Sequence, residues 1–426
     1  MWLLVVVDLL FNVPIARALA VACLAAFLLC AVPRASVHIR LLFLAAVAAV
    51  AWSLLVAHDW APVRRGLESG IIMGAFFPTI MLLRATAGES PLINATRERL
   101  EGFSEPQREM WVQAVAHVLG SFLMIGGYLI ARAALPEELS EARRVRLAEA
   151  AVVGIGLAVC WSPFFVAGAI ASQLVPTVSA WQLVLLGFGF SVAGWVLSFL
   201  LLYRGMDAVA LLAPLRGVAT FAIPSAVLVA VVVAVSIVTG YRSLETVVLV
   251  VPITCLAYLA TLGWGATARA LGRVPVSLAR LSDELIVFTS AMCVGAVVAG
   301  SGAGKGLSQL LGGLAGMPLL LIAAEVALIA GLGFAGLHPM ITVTLLVPLL
   351  AEVHRQFADL VVAYIVVFAW GLSSLSAIWT LPVASAATNF DVPVRRLAFG
   401  RNLRFALAFG ICGCLALAAI NGVLMN

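Results

Sequence analysis

Charged residues are scarce in this chain of 426 residues: Asp, Glu, Lys and Arg make up 11% of it, whereas the hydrophobic set makes up 64%. Soluble domains are nearer ~25% charged and ~45–50% apolar. The mean hydropathy is +1.15, and too few polar side chains are present to cover a soluble globule. The composition excludes a cytosolic enzyme, a disordered chain and a secreted disulfide scaffold, and it predicts an integral membrane protein.

Basic clusters are also missing. Lys305 is the only lysine, and the chain has none of the Lys/Arg runs with interleaved aromatic residues that are typical of nucleic-acid-binding proteins. The net charge of +5 is ordinary for a multi-pass protein with basic cytoplasmic loops. We therefore predict no nucleic-acid partner and a location in a bacterial cytoplasmic membrane.

Motifs for catalysis, metals and nucleotides are absent as well. The seven cysteines lie in apolar segments without a CxxC pair, which favours packing roles. Residues 299–306 are similar to a phosphate-binding loop, but Ala299 replaces the first glycine and Gly306 replaces the Ser/Thr that would hold Mg²⁺. The sequence predicts no enzymatic activity, no metal site and no cofactor, with Na⁺ or H⁺ as a coupling ion at most.

Apolar segments of membrane-spanning length are abundant. A spanning helix needs ~20 apolar residues, so this all-α protein is predicted to have roughly 10–13 transmembrane helices. Residues 88–110 and 136–148 predict amphipathic surface helices, and the glycine-rich segment 111–131 between them predicts a re-entrant hairpin. Short basic loops are predicted on the cytoplasmic side, at Arg204–Arg216, Arg269–Arg280 and Arg395–Arg404.

Two parts of the chain look alike. Arg65 opens one apolar span and Arg280 opens another, about 215 positions apart, a spacing that indicates an internal repeat. Trp161-Ser162-Pro163 and Leu337-His338-Pro339 each interrupt a glycine-rich apolar segment. These matches predict two inverted membrane repeats with broken helices or re-entrant hairpins, 1–210 and 211–426, as in secondary transporters.

The segment from Gly336 to Pro348 is the strongest local feature. Proline removes a backbone donor and disfavours helix at the residue before it, so His338-Pro339 predicts a helix break. Polar groups at membrane depth are candidate functional sites, and here they are His338, Thr342 and Thr344. The alternative is a histidine that is hydrogen-bonded to a neighbouring helix.

A second polar cluster lies between Gly371 and Asn389. Close helix packing through small hydroxyl residues is one interpretation, but Pro382 favours a second broken helix. The candidate binding residues of this cluster are Ser374, Ser376, Thr380, Ser385, Thr388 and Asn389.

Residues 337–390 resemble the second-half signature of the ion transporter superfamily, which includes divalent-anion:sodium symporters and TRAP large subunits. The closest match runs from Ser376 to Asn389 around Leu381-Pro382-Val383. His338–Pro348 matches in layout, and Trp161–Pro176 would be the first-half counterpart. The resemblance implies that Ser162, Pro163, His338 and Pro339 belong to turns that bind an ion or a substrate carboxylate.

This sequence departs from the family pattern at two points. His338-Pro339 stands in place of an Asn-Thr pair, and Ala386-Ala387 stands in place of paired prolines. The resemblance therefore bears on the fold and the position of the site more than on sodium coupling. Glu325 and His338 are a candidate proton relay within the membrane, with a structural pair as the alternative.

These features predict a secondary active transporter that moves a small polar, anionic solute of the carboxylate type with a sodium or proton gradient. One alternative is a membrane-embedded enzyme that acts on a lipid-linked substrate. Another is the membrane subunit of a binding-protein-dependent transporter. The expected partners are the solute and membrane lipid, and the sequence leaves open a homodimer and an accessory transport subunit.

Overall fold

The structure, a computed structural model, describes residues 1–90, 103–123, 126–133, 135–136, 138–203, 207, 212–213, 215–279, 281–302, 305–306, 309 and 316–425. The first helices are α1 (Trp2–Phe11), α2 (Pro14–Ala31), α3 (Val37–Leu55), α4 (Ala61–Gly88), α5 (Glu105–Leu123), α6 (Gly126–Ala133), α7 (Glu141–Val159), α8 (Val166–Leu174) and α9 (Ala180–Leu202). Then follow α10 (Leu215–Thr239), α11 (Ser243–Leu262), α12 (Trp264–Ala279), α13 (Ser282–Gly300), α14 (Pro318–Phe334), α15 (Pro339–Leu349), α16 (Ala351–His354), α17 (Asp359–Ser376), α18 (Leu381–Phe390), α19 (Val394–Ala398) and α20 (Arg401–Met425).

Within those residues the regular structure is entirely helical, and nine helices are long and apolar enough to cross a membrane. The helices α1, α14 and α15 are apolar but shorter. This confirms the predicted all-α, multi-pass membrane architecture. Most of the predicted surface helix at 88–110, most of the loop at Arg204–Arg216, and part of the glycine-rich stretch 299–306 lie outside the described residues.

The apolar helices form an inner and an outer group. The span Asp359–Phe390 is 89% buried inside the protein and Ala61–Gly88 is 78% buried, whereas Val37–Leu55 is only 11% buried. Helix α7 belongs to the inner group, because every residue from Leu147 to Val159 is buried. An apolar helix that is exposed along most of its surface is stable in lipid and not in water, so the outer helices α2, α3 and α10 face the membrane.

Helices α4 and α13 cross antiparallel through small residues. A Cβ atom added to Gly66 would lie 2.8 Å from the Cα atom of Cys293, and one added to Gly70 would lie 3.0 Å from the Cγ2 atom of Thr289. Four-residue spacing of glycines puts them on one helix face, where they let two membrane helices approach closely. This contact fixes the ends of α4 and α13 beside each other.

Helices α7 and α17 form a second antiparallel crossing at the centre of the molecule. A Cβ atom on Gly371 would lie 3.5 Å from the backbone oxygen of Gly156, and the Tyr364 hydroxyl donates a hydrogen bond of 3.2 Å to the Cys160 oxygen. Helix α6 folds back on α5, because a Cβ on Gly127 would meet the backbone nitrogen of Gly120 at 3.1 Å. Helices α5 and α6 therefore pack against each other as a helical hairpin, and its predicted re-entrance into the membrane stays a prediction.

Two stretches that were predicted as basic loops are helical. Arg269 and the residues up to Ala279 belong to α12, and Arg395–Arg404 spans α19 and the start of α20. The arginines of α12 bind the end of α4: Arg269 Nη2 lies 2.7 Å and Arg273 Nη1 3.0 Å from the Glu89 carboxylate. The hydrogen bond from Arg269 holds the pKa of Glu89 below its ordinary value.

We expect Gly295→Ala to destabilise the packing of α13 on α15. The added Cβ would overlap the backbone oxygen of Thr344, and overpacking of this kind costs about 1–3 kcal/mol. Thermal unfolding of the purified protein in nanodiscs measures the effect as a lower midpoint. Gly331→Ala is the matched control, since nothing lies within 4 Å of its Cβ position in α14. An equal midpoint for the two variants would contradict the close packing.

Candidate functional site

Three interruptions of the inner helices face one cavity of about 140 Å³. They lie between α7 and α8, between α14 and α15, and between α17 and α18, where proline and glycine predicted helix breaks. The last turns of α4 and the first turn of α13 complete the wall. The aromatic lining residues are Phe76, Phe77, Phe164, Phe165, Trp370 and Trp379, and the polar ones include Arg84, Glu284, His338, Ser374 and Thr380.

The first interruption is held by internal hydrogen bonds. The Ser162 hydroxyl donates to the Ser121 oxygen in α5 and accepts from the Phe164 backbone N–H at 3.2 Å. Trp161 Nε1 donates to His117 Nε2 at 3.2 Å. Ser162 and Pro163 thus support the break, and the neighbouring residues that line the cavity are Val159, Phe164, Phe165, Val166 and Ala167.

The second interruption places His338 in the cavity wall. Its Nδ1 accepts a hydrogen bond of 3.3 Å from the Met340 backbone N–H, which caps the start of α15. Its Nε2 lies 3.8 Å from Glu284 Oε2, and its ring contacts Trp370 edge to face with centroids 5.5 Å apart. The Nδ1 side of the ring thus caps the helix, and the Nε2 side faces the Glu284 carboxylate.

The third interruption carries Thr380 and is preceded by Ser374. Thr380 Oγ1 donates to the Ala377 oxygen at 2.7 Å, and Ser374 Oγ donates to the Trp370 oxygen at 3.0 Å. Helix α18 then starts at Leu381 with Pro382 in its first turn, where a missing N–H is tolerated. Because each hydroxyl gives its single proton to a backbone carbonyl, it offers a ligand only oxygen lone pairs in this geometry.

Arg84 and Glu284 are charged lining residues that the sequence interpretation missed. Arg84 lies in the last turns of α4, which continues to Gly88, beyond the apolar run. Glu284 lies in the first turn of α13. The sequence offered a weak signal, an arginine that ends a long apolar helix, but only the antiparallel contact of α4 with α13 brings these groups to the same cavity.

Helix amino termini add positive potential to the cavity. Helices α8, α15 and α18 begin at the three interruptions, with Phe165, His338 and Thr380 at their N-cap positions. Each amino terminus carries about half an elementary positive charge and unsatisfied N–H groups. With Arg84 beside them, the described part of the wall is suited to an anionic group.

Other predicted site residues lie away from the described cavity lining. Thr344 Oγ1 donates to the Met340 oxygen of its own helix at 2.8 Å, and Thr342 is buried on the same helix α15. Asn389 Nδ2 donates to the Ser385 oxygen at 2.8 Å, and Thr388 donates to the Ala384 oxygen at 3.1 Å. Ser376 is buried at the end of α17. Of the candidates, His338, Pro339, Ser374 and Thr380 reach the cavity.

Glu325 and His338, the candidate relay, have different partners. Glu325 Oε2 lies 3.0 Å from His354 Nε2, and both side chains are buried. The hairpin of α14 with α15 and α16 makes this contact, because its two arms run in opposite directions. His338 faces Glu284 instead. In the part of the chain that the structure describes, no group of three or more His, Cys, Asp or Glu residues could hold a metal ion.

No protein-family model matches the chain, and no curated protein matches it.

Proposed function

We propose that this protein is a secondary active transporter of the ion transporter superfamily type. It moves a small anionic solute with a carboxylate group across the cytoplasmic membrane and is driven by a sodium or proton gradient. The observation that carries the proposal is the meeting of two broken helices, the turn of the α14–α15 hairpin and Arg84 at one cavity inside a multi-pass membrane protein. Discontinuous helices with their amino termini at a common site are the arrangement that transporters use to bind anions.

A repeated order of helices supports the proposal. At an offset of about 215 residues, α4 matches α13, the α5–α6 hairpin matches α14–α15, and broken α7–α8 matches α17–α18, as expected of an internal repeat. The lengths agree, with 19 and 9 residues in α7 and α8 against 18 and 10 in α17 and α18. The pairs α4–α13 and α7–α17 cross antiparallel, which is the relation between equivalent helices of inverted repeats at their common axis.

This correspondence changes the sequence alignment of the two halves. It pairs the interruption at 160–165 with that at 377–380, whereas the sequence paired Trp161-Ser162-Pro163 with Leu337-His338-Pro339. His338 then corresponds to the turn of the α5–α6 hairpin. Each half contributes one hairpin and one broken helix, and the buried inner group moves the solute while the outer, lipid-facing helices hold it in the membrane.

Gradient-driven uptake into proteoliposomes tests the proposal. We expect labelled carboxylates to accumulate when a sodium or proton gradient is imposed, and to stop accumulating when an ionophore collapses it. The panel comprises succinate, pyruvate and phenylacetate. Absence of gradient-driven uptake for all three, by protein that is folded and monodisperse, would contradict the proposal.

A matched pair of glycine variants tests whether the uptake of the solute depends on the cavity. Gly336 has φ +103° at the second interruption and lies against Trp379, whereas Gly263 has φ +92° between α11 and α12 with nothing near it. Both replacements by alanine carry similar backbone strain of about 1–3 kcal/mol. We expect Gly336→Ala to lower the uptake rate about 10-fold and Gly263→Ala to leave it near wild type. Equal uptake rates for the two variants would show that the transport activity does not depend on this cavity.

A further inference from the structure

We infer that the groove between α4, α5, α10 and α11 binds an acyl chain of an anionic phospholipid, whose phosphate headgroup contacts Arg269 and Arg273. This lipid site is separate from the cavity described above, because the two share no described lining residue. Three observations carry the inference: an apolar groove on the lipid side of the molecule, a pair of arginines beside its polar end, and the amphipathic helix on which these arginines lie.

The groove has the size and the lining that suit an acyl chain. Its volume is about 340 Å³, more than twice that of a ~150 Å³ apolar cavity that accepts benzene. On the α10 side, Val227 and Val231 are 57% and 36% exposed, so the groove is open toward lipid. An empty groove would forfeit dispersion contacts that an acyl chain provides. Its other apolar lining residues include Leu83, Leu119, Phe122 and Leu228.

One end of the groove is polar and adjoins the arginine pair. Ser90 and Tyr258 line the groove at this end, and the Tyr258 hydroxyl donates a hydrogen bond of 3.1 Å to Ser90 Oγ. The residue before Ser90 is Glu89, whose carboxylate lies 2.7 Å from Arg269 Nη2 and 3.0 Å from Arg273 Nη1. A phosphate at the arginines can therefore be joined to a chain in the groove.

The arginine pair keeps a positive charge after its contacts with the protein are counted. Two guanidinium groups face the one carboxylate of Glu89, which leaves a net charge of about +1 at this end of the groove. Arg269 and Arg273 are 61% and 53% exposed. A guanidinium has five N–H donors, and Arg269 directs its Nε and Nη2 groups to Glu89. The remaining donors suit a phosphate oxygen.

Helix α12 places the arginines at the depth of lipid headgroups. It has 16 residues, fewer than a membrane span needs. Ala266 and Ala270 are buried, whereas Trp264 is 82% and Val276 60% exposed. A helix with a basic polar face and exposed tryptophan or aliphatic residues lies in the membrane interface. Basic sites beside transmembrane helices bind anionic headgroups, so the charge and the apolar groove together favour an anionic phospholipid.

Native mass spectrometry of the purified protein in detergent tests the inference. The protein is titrated with phosphatidylglycerol, with phosphatidylcholine that has the same acyl chains, and with glycerol 3-phosphate, which has the phosphate without the chains. We expect phosphatidylglycerol to bind at least about 5-fold more tightly than either of the others, because the site attracts one negative charge and also holds a chain. Equal affinity for the two phospholipids, or equal affinity for glycerol 3-phosphate, would overturn the inference.

Arg269→Gln tests the headgroup contact. Arg273 remains to pair with Glu89, and the net positive charge is lost, so we expect the preference for phosphatidylglycerol over phosphatidylcholine to fall about 5-fold. Arg396→Gln is the matched control, since Arg396 is also 61% exposed and lies 2.7 Å from a single carboxylate, that of Glu141. An equal preference in the two variants would contradict the contact.

Val231→Trp tests the position of the acyl chain. The larger side chain fills part of the groove and displaces about two methylene groups of the lipid, so we expect both phospholipids to bind about 10-fold more weakly. Val238→Trp is the control, because Val238 lies on the same helix, is 85% exposed and is outside the described groove lining. Unchanged binding in Val231→Trp would overturn the inference. These measurements involve no flux, so their outcome is independent of the proposed transport.

Discussion

Arg84→Gln is expected to weaken the binding of anionic solutes strongly while the protein keeps its fold. Arg84 is the lining residue whose guanidinium can form charge-assisted hydrogen bonds with a carboxylate. Loss of one partner of such a pair in a desolvated site costs about 2–5 kcal/mol, which corresponds to an increase in Kd of about 30-fold or more. The glutamine preserves most of the side-chain volume, so the helix packing of α4 is retained.

The measurement is phenylacetate binding by calorimetry, together with proteoliposome uptake. Arg64→Gln is the control, because Arg64 lies on the same helix, is 66% exposed and makes only a 3.7 Å surface pair with Glu68. Wild-type affinity in Arg84→Gln would show that the anion is held elsewhere. Equal loss in both variants would indicate a general effect of charge on the protein.

The helix interruptions could be predicted from the sequence because their cause is local. Pro339 lacks a backbone donor and restricts the residue before it, and the same holds for Pro382 in its first helical turn. The structure confirms breaks at both places and at Trp161–Phe165. The glycines of 111–131 likewise predicted a hairpin, since close approach of two helices requires residues without a side chain.

The set of residues that line the cavity could not be predicted, because it depends on contacts between segments that are distant in the sequence. Arg84 lies near the end of α4, which continues to Gly88, and the crossing of α4 with α13 places Arg84 and Glu284 in one wall. Thr388 and Asn389 belong to the closest sequence match with the transporter superfamily. Their side chains bond to their own helix, away from the described lining.

The contact partner of Glu325 is a second feature that could not be predicted from the sequence. The buried His354 contacts Glu325, whereas the sequence analysis paired Glu325 with His338 at the following helix break. The helical spacing within α14 does not reveal which residue of α15 or α16 lies beside Glu325 when the chain folds back. A buried carboxylate–imidazole pair remains a candidate for proton coupling within the proposed function, separate from the anion-binding wall.

Arg401→Met is expected to be the most destabilising of the substitutions considered. At the start of α20, Arg401 Nε lies 2.7 Å from Glu149 Oε2 and its Nη2 lies 3.1 Å from Glu109 Oε2. Its backbone N–H also donates to Glu149 Oε1 at 2.8 Å. The carboxylate side chains are only 5% and 4% exposed. Removing Arg401 takes the cation from the buried Glu149 and leaves Glu109 with the more exposed Arg146 at 3.5 Å, and breaking a buried pair costs about 3–5 kcal/mol.

Thermal unfolding in nanodiscs measures this loss, and a triple variant identifies its cause. In Glu109→Gln/Glu149→Gln/Arg401→Met the buried charges disappear together, and we expect most of the lost stability to return, since replacing a whole buried network is often close to neutral. Arg355→Met is the control, because its exposed pair with Glu352 contributes about 0–1 kcal/mol. If the triple variant is as unstable as Arg401→Met alone, the arginine stabilises α20 through packing of its side chain. If the triple variant regains the lost stability, the stabilising interaction is electrostatic. It then links α20 to α5 and α7, beside the inner helices that form the cavity.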